Sequence, residues 1–163
     1  MSHLDPPGAV YNAVFSSVAL STAEADLFCM TASTDSKVVV REIRLGQFTE
    51  FGDTQSELIS VRMLVGSTAI GGGATITPRN VQRHPGALTA GSSVTAPSTI
   101  VASTASAVDV LADAWNVARG WFYKPDPVER LVLEPGERLA LRISAPNDAL
   151  TLNGTLVFQE IGN

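Results

Sequence analysis

The chain has one cysteine, two histidines, and no aspartate or glutamate between Leu58 and Val108. It also lacks any apolar run near the about 20 residues that a membrane-spanning helix needs. Each absence excludes something. One cysteine cannot build a disulfide framework. Cys29 lies in the apolar stretch ADLFCMTAS, where a small buried side chain is expected rather than a nucleophile. Neither His3 nor His84 is followed by a second histidine at ligand spacing, so no zinc or iron site and no cofactor are expected. No G-x-S-x-G elbow is present, and Gly71–Gly73 has no Lys-Ser/Thr after it to hold a phosphate. No catalytic constellation emerges. The opening segment MSHLDPPGAVYNAV has no basic stretch followed by an apolar one, so no secretory signal is expected and folding in the cytoplasm of the producing cell is.

What is present points to one folded domain. A chain of 163 residues buries enough surface to hold together without metal or disulfide. Its 45% hydrophobic and 17% charged residues are too apolar for a disordered chain. The net charge of −5 argues against general affinity for nucleic acid. All sixteen acidic residues lie outside the acid-free segment, which carries Arg62, Arg79, Arg83 and His84. That segment reads either as a low-charge loop region or as a surface that docks on an acidic or uncharged partner.

Apolar residues recur mostly with period two. Ile59, Val61, Met63 and Val65 share a face, as do Leu139, Leu141 and Ile143, and again Leu150, Leu152, Leu156 and Phe158. These are half-buried strands of an antiparallel sheet. VYNAVFSSVAL, DLFCMTAS, KVVVREIRL, STIVAS and ERLVLE carry the same β-branched bias. Pro135 and Gly136 centre a tight turn, and APNDA (145–149) makes another. SAVDVLADAW fits a helix, with Val108, Leu111, Ala112 and Trp115 on one side, or a strand running on toward NVARGWFY, the reading favoured here. Residues 66–107 form a long insert rich in Gly, Ser, Thr and Ala, of the kind that lies on another subunit; ATITPRNVQ within it reads as extended. Gly71–Gly73 is expected to turn the chain or let two backbones approach closely. Residues 1–14 read as an arm kept non-helical by Pro6, Pro7 and Gly8, followed by a single domain over 15–163. Eight to ten short strands with Pro/Gly turns imply an all-β antiparallel sandwich, and the length suits a jelly roll better than an immunoglobulin domain.

WNVARGWFYKP, residues 115–125, packs four of the ten aromatic residues into nine positions. Trp115, Trp121, Phe122 and Tyr123 are expected to pack in the core or at a subunit interface rather than to stack on a sugar or base. In a strand, Trp121 and Tyr123 share one face and Phe122 takes the other. The carboxylate pairs Asp109/Asp113 and Asp126/Glu129 read as solvated surface charge. The sequon NGT (153–155) carries no modification in an unsecreted chain, and Gly154 is expected to relieve a crowded point in the last strand.

The run GGGATITP, then a low-complexity stretch, then DAWNVARGWFYKPDPVERLVLEPGERLALRI and DALTLNGTLVFQEIG, resembles a group of small tailed-bacteriophage virion proteins. The features that carry the resemblance are Trp115-Asn116-Val117, Gly120-Trp121, the Pro-rich loop from Pro125 to Arg130, and Phe158 to Ile161; together they span roughly residues 68–162. The resemblance implies a single jelly-roll module of the tumour-necrosis-factor-like kind. It implies a capsid decoration (cement) protein, made in the host cytoplasm and carried on the virion surface. Its partners would be the major capsid protein and two further copies in a homotrimer, with no nucleic acid and no membrane. It brings no catalytic residues. On this reading Arg62, Arg79, Arg83 and His84, with the first twelve residues of the arm, are candidates to face the capsid. A carbohydrate- or receptor-binding tail or fibre module, with Trp121 and Tyr123 as its platform, is the alternative. A β-sandwich hydrolase using His84 as base ranks last.

Overall fold

A computed structural model describes residues 8–47, 57–81 and 89–162. Twelve strands form in chain order: β1 (Ala9–Leu20), β2 (Ala25–Thr31), β3 (Ser36–Gln47), β4 (Leu58–Val65), β5 (Thr75–Ile76), β6 (Arg79–Asn80), β7 (Ser93–Thr95), β8 (Val108–Asn116), β9 (Trp121–Tyr123), β10 (Val132–Leu133), β11 (Arg138–Ile143) and β12 (Leu150–Gly162). No α-helix occurs among the described residues; one 3₁₀ turn spans Pro127–Glu129 in the Pro-rich loop. The protein is an all-β sandwich of two antiparallel sheets. The first runs β10-β3-β12-β1-β6, with β9 also on β3, and the second runs β5-β7-β2-β11-β4-β8.

The pairings follow one rule. β1 pairs β12, β2 pairs β11, β3 pairs β10 and β9, and β4 pairs β8. The chain is thus a long hairpin whose two arms run antiparallel to each other. Its rolled-up ribbon brings β12 against β3 and β11 against β4, which makes the two sheets. Apolar residues of the predicted alternation point between them. Val61, Leu141, Leu152, Leu156 and Phe158 are buried in one core with Trp115 and Trp121. Tyr11 stacks on Phe158 at 5.5 Å, and Phe15 meets Phe28 at 4.9 Å. Gly154 faces inward opposite Phe15, and a Cβ there would overlap the Phe15 ring, so the predicted crowding is real.

Three expectations are corrected. Residues 9–14 of the expected arm belong to β1, because Ala9 through Val14 pair with Glu160 through Thr155. STIVAS is not a strand: only Ser98 makes a bridge, to Asp26, and the rest is held by side-chain and loop contacts. The insert is part of its own domain. Its short strands β7 and β5 extend the second sheet beyond β2, while β6 pairs β1 in the first. Its two limbs then fold together over the outer face of the second sheet. Gly72 N–H donates to Ile100 O at 2.7 Å, and a Cβ on Gly71 would overlap that same carbonyl, so the glycines allow the close approach expected of them.

A buried polar cluster fastens these limbs. On β11, Leu139, Leu141 and Ile143 point into the core, so Arg142 points away from it. The insert covers Arg142, leaving it and Asp26 on β2 both buried. Arg142 Nε and Nη2 donate to the two carboxylate oxygens of Asp26, at 2.6 and 3.2 Å. Asp26 Oδ2 also accepts the Ala102 N–H at 2.5 Å, and Arg142 Nη2 donates to Ala102 O at 2.7 Å. Ala102 packs with Cys29 and Ala140 in a small apolar cluster beneath. Arg138 secures the other limb by donating to Ser67 O and Thr68 O.

Asp26→Asn leaves the buried Arg142 guanidinium without the carboxylate charge that faces it. It is expected to cost about 3–5 kcal/mol in denaturant unfolding. The same change should speed proteolytic cleavage within 66–107. Removing the half-exposed pair of Arg62 and Asp109 by Arg62→Ala should cost less than about 1 kcal/mol.

Candidate functional site: an aromatic corner and the face beside it

The chain crosses from the second sheet to the first through the 115–123 corner, which locks itself. Asn116 Oδ1 accepts the Ala118 N–H at 3.0 Å, and Arg119 N–H donates to Asn116 O at 3.0 Å, closing a turn. Trp115 Nε1 donates to Arg119 O at 2.6 Å. Trp121 Nε1 donates to Asp113 Oδ2 at 3.0 Å. Each indole is buried with its N–H satisfied, the arrangement a core tryptophan requires. Trp-Asn-Val followed by Gly-Trp is therefore a structural unit. Trp115 and Trp121 are core residues as expected, and Tyr123 is half-buried against the core. Phe122 is not: it is 66% exposed on the outer face of the first sheet. The acids of this region are exposed, as the solvated reading expected, but two of them have partners. Asp113 holds Trp121, and Asp109 accepts from Arg62 Nε and Nη2 at 3.1 and 2.6 Å.

Strand register brings residues of four strands together around Phe122. Val14 on β1 lies opposite Thr155 on β12, Thr155 opposite Arg44 on β3, and Arg44 opposite Phe122 on β9. The next row holds Asn153 opposite Gly46. Between Phe15 and Val18 the β1 register shifts, so Ser16 and Ser17 form a bulge. Ser17 has a positive φ of 55°, a left-handed conformation that costs a non-glycine residue about 1–2 kcal/mol. Asn153 Oδ1 accepts the Ser17 N–H at 2.8 Å and supports it. Gly46 has nothing within 4 Å of where a side chain would begin. The result is a hollow of about 320 Å³ lined by Val14, Ser16, Arg44, Gly46, Phe122 and Asn153 among others. Arg44 Nε donates to Glu42, whose carboxyl is held below the usual carboxylate range chiefly by that bond.

The other sequence candidates do not converge. Arg62 lies on β4 with Asp109, on the second sheet, and Arg79 is exposed on β6 at the edge of the first. Arg83, His84 and His3 lie outside the described residues. No group of three or more metal-ligating side chains occurs among the described residues. Cys29 is buried, and its thiol is pushed up to about 11 by burial first and by the Asp26 charge second. Sequence reasoning passed over the hollow because its parts are a glycine, an asparagine and a serine pair, none of which signals chemistry alone.

No protein-family model matches the chain, and no curated protein does. Among solved structures, one titled "Structure of infectious bursal disease virus Gx strain" aligns at 15% identity, with a TM-score of 0.14. The alignment covers 98% of this chain and 41% of that chain, so this chain spans about two fifths of that chain's length. A likeness at that score carries no weight for fold or role.

Trp121→Ala should destabilise the protein by about 3–5 kcal/mol in thermal or denaturant unfolding. Phe122→Ala should stay within about 0.5 kcal/mol of the parent. Because its raised pKa keeps Cys29 a neutral thiol at neutral pH, a thiol-specific reagent should label the native protein only at the rate of opening, and promptly in denaturant.

Proposed function

We propose that the chain is a non-enzymatic virion structural protein, a decoration (cement) protein that stabilises a phage head as an oligomer. The observation that carries this reading is the corner at 115–121. The residues that make the chain resemble small phage virion proteins are the ones that close this turn and bury its indoles. The hairpin rule of pairing, β1·β12, β2·β11, β3·β10/β9 and β4·β8, supports a jelly-roll reading of the sandwich.

Self-association is supported by an asymmetry between the two flanks. The insert extends the β1 and β2 flank with β6, β7 and β5. On the opposite flank, β8 ends the second sheet with Val108 and Val110 exposed and Leu58 exposed beside it on β4. β8 carries no Lys, Arg or Pro, and of its two acids Asp109 is paired with Arg62 and Asp113 holds Trp121. A trimer joined there would attach to a capsid at three points, so weak contacts with the major capsid protein would sum. Arg79, exposed at the far edge, remains available to a capsid surface on this reading.

A carbohydrate- or receptor-binding tail or fibre module is the second reading, and the exposed Phe122 beside a hollow favours it. The two differ in stoichiometry. Quantitative mass spectrometry of purified particles should find the chain in a simple ratio to the major capsid protein. A few copies per particle would move it to the tail, and absence would end the virion reading. Val110→Lys, which puts a charge on the free edge, should shift the protein to a smaller species in light scattering; an unchanged mass would take the oligomer contact away from β8.

A further inference from the structure

We propose that the hollow on the outer face of the first sheet is a binding site for one pyranose ring of a glycan. The ring's apolar face lies on Phe122, and its hydroxyls meet Asn153, Ser16 and Thr155. The site deepens the carbohydrate-binding reading, resting on it for ligand class only; it is the same site whether the chain sits on a head, a tail or a fibre.

Four independent features meet there. The first is Phe122. An exposed phenyl ring on a sheet face gains nothing from the core. Its ring lies against Gly120, where a Cβ would sit 3.1 Å from the ring edge. Phe122 lies opposite Arg44, one same-face position from Gly46, and both line the hollow. An exposed aromatic face beside open space is what the C–H face of a sugar packs on.

The second is Gly46. Asn153 faces it from β12, and a Cβ at Gly46 would meet nothing. The third is the donor set. The Ser17 N–H fixes the carboxamide of Asn153 with Oδ1 inward, which leaves Nδ2 with no hydrogen-bond partner among the described residues. Ser16 and Thr155 add hydroxyls from the neighbouring strands. Amide and hydroxyl groups can both donate and accept, which matches a ligand whose polar groups are hydroxyls. Arg44, its Nε engaged by Glu42, flanks the site with its terminal nitrogens.

The fourth is strain. The bulge forces Ser17 into a left-handed conformation that a regular strand would avoid, and its effect is to deliver Ser16 and anchor Asn153 at the hollow's rim. The same bulge switches β1 from odd to even inward positions, so that Val18 and Leu20 reach the core as Phe15 does, and it serves the packing and the rim together. Size then sets the ligand. At about 320 Å³ the hollow lies at the small end of ligand sites, which run from about 300 to 1,000 Å³. It takes one ring, not a chain buried end to end.

The test is an amide-resolved NMR titration of the full chain with methyl glycosides of glucose, galactose, mannose and N-acetylglucosamine. At least one should shift the amides of Gly46, Phe122, Asn153 and Ser16 in a saturable way, with a Kd on the order of 1 mM. Phe122→Ala and Gly46→Val should each weaken that binding at least tenfold. Both positions are open to solvent, so the dispersed spectrum of each variant reports an intact fold. If none of the four sugars moves those amides, the site is overturned. If a sugar binds equally well to both variants, or shifts only amides elsewhere, the hollow is likewise overturned while carbohydrate binding by another surface stands.

Discussion

Asp26 and Arg142 face each other on neighbouring strands, on the side of the second sheet turned away from the core, and both are buried. Two charges in that position would ordinarily lie in water. They are dry because residues 98–103 cross over them, and those residues cross there because the carboxylate and guanidinium bind both the N–H and the C=O of Ala102. Each condition supports the other. A carboxylate without its guanidinium, or the pair without the backbone of Ala102, would leave desolvated groups unpaired at a cost of several kcal/mol. The sandwich itself draws its stability from apolar burial. The described residues between Val65 and Val108 contribute little of that, and this cluster, with the pairings of β5, β6 and β7, binds them to the sandwich.

The same insert gives the molecule its polarity. By extending one flank and plating the outer face beside it, the insert takes the β1 and β2 side out of play as a simple edge. Among the described residues, what remains open is the β8 flank and the outer face of the first sheet around Phe122. The two surfaces differ in kind. One offers unpaired backbone and scattered valines, suited to another strand or another copy. The other offers an exposed ring, a missing side chain and neutral polar groups, suited to a small polyol.

The long strands were legible because period-two alternation is a local consequence of pleating. Leu139, Leu141 and Ile143 alternate with Arg138 and Arg142, and the observed faces follow. β8 was ambiguous since Val108, Leu111 and Trp115 also fit a helix; pairing along β4 decides for the strand. The short strands β5, β6 and β7 were not separable, because two or three residues become a strand only when a partner lies in register. Arg142 alternates with inward leucines and does face away from the core; that a loop would cover it and Asp26 is a tertiary fact with no local trace. Phe122 was correctly set opposite Trp121 and Tyr123, yet was expected to pack. Whether a strand's second face is covered depends on what else the chain brings to it, and here nothing among the described residues covers it.

The order in which the chain leaves the ribosome bears on all of this. Ala9 pairs with Glu160, and β12 fills the gap between β1 and β3. The first sheet therefore has no centre until β12 has been made. β1 and β3 wait with their apolar faces exposed, unable to pair with each other, while the rest is synthesised. Folding of the domain is then slow, governed by one late closure between distant segments. Expression yield should respond more to temperature and chaperone supply than to any surface substitution, and a chain cut short before β12 should aggregate rather than persist as a partial fold.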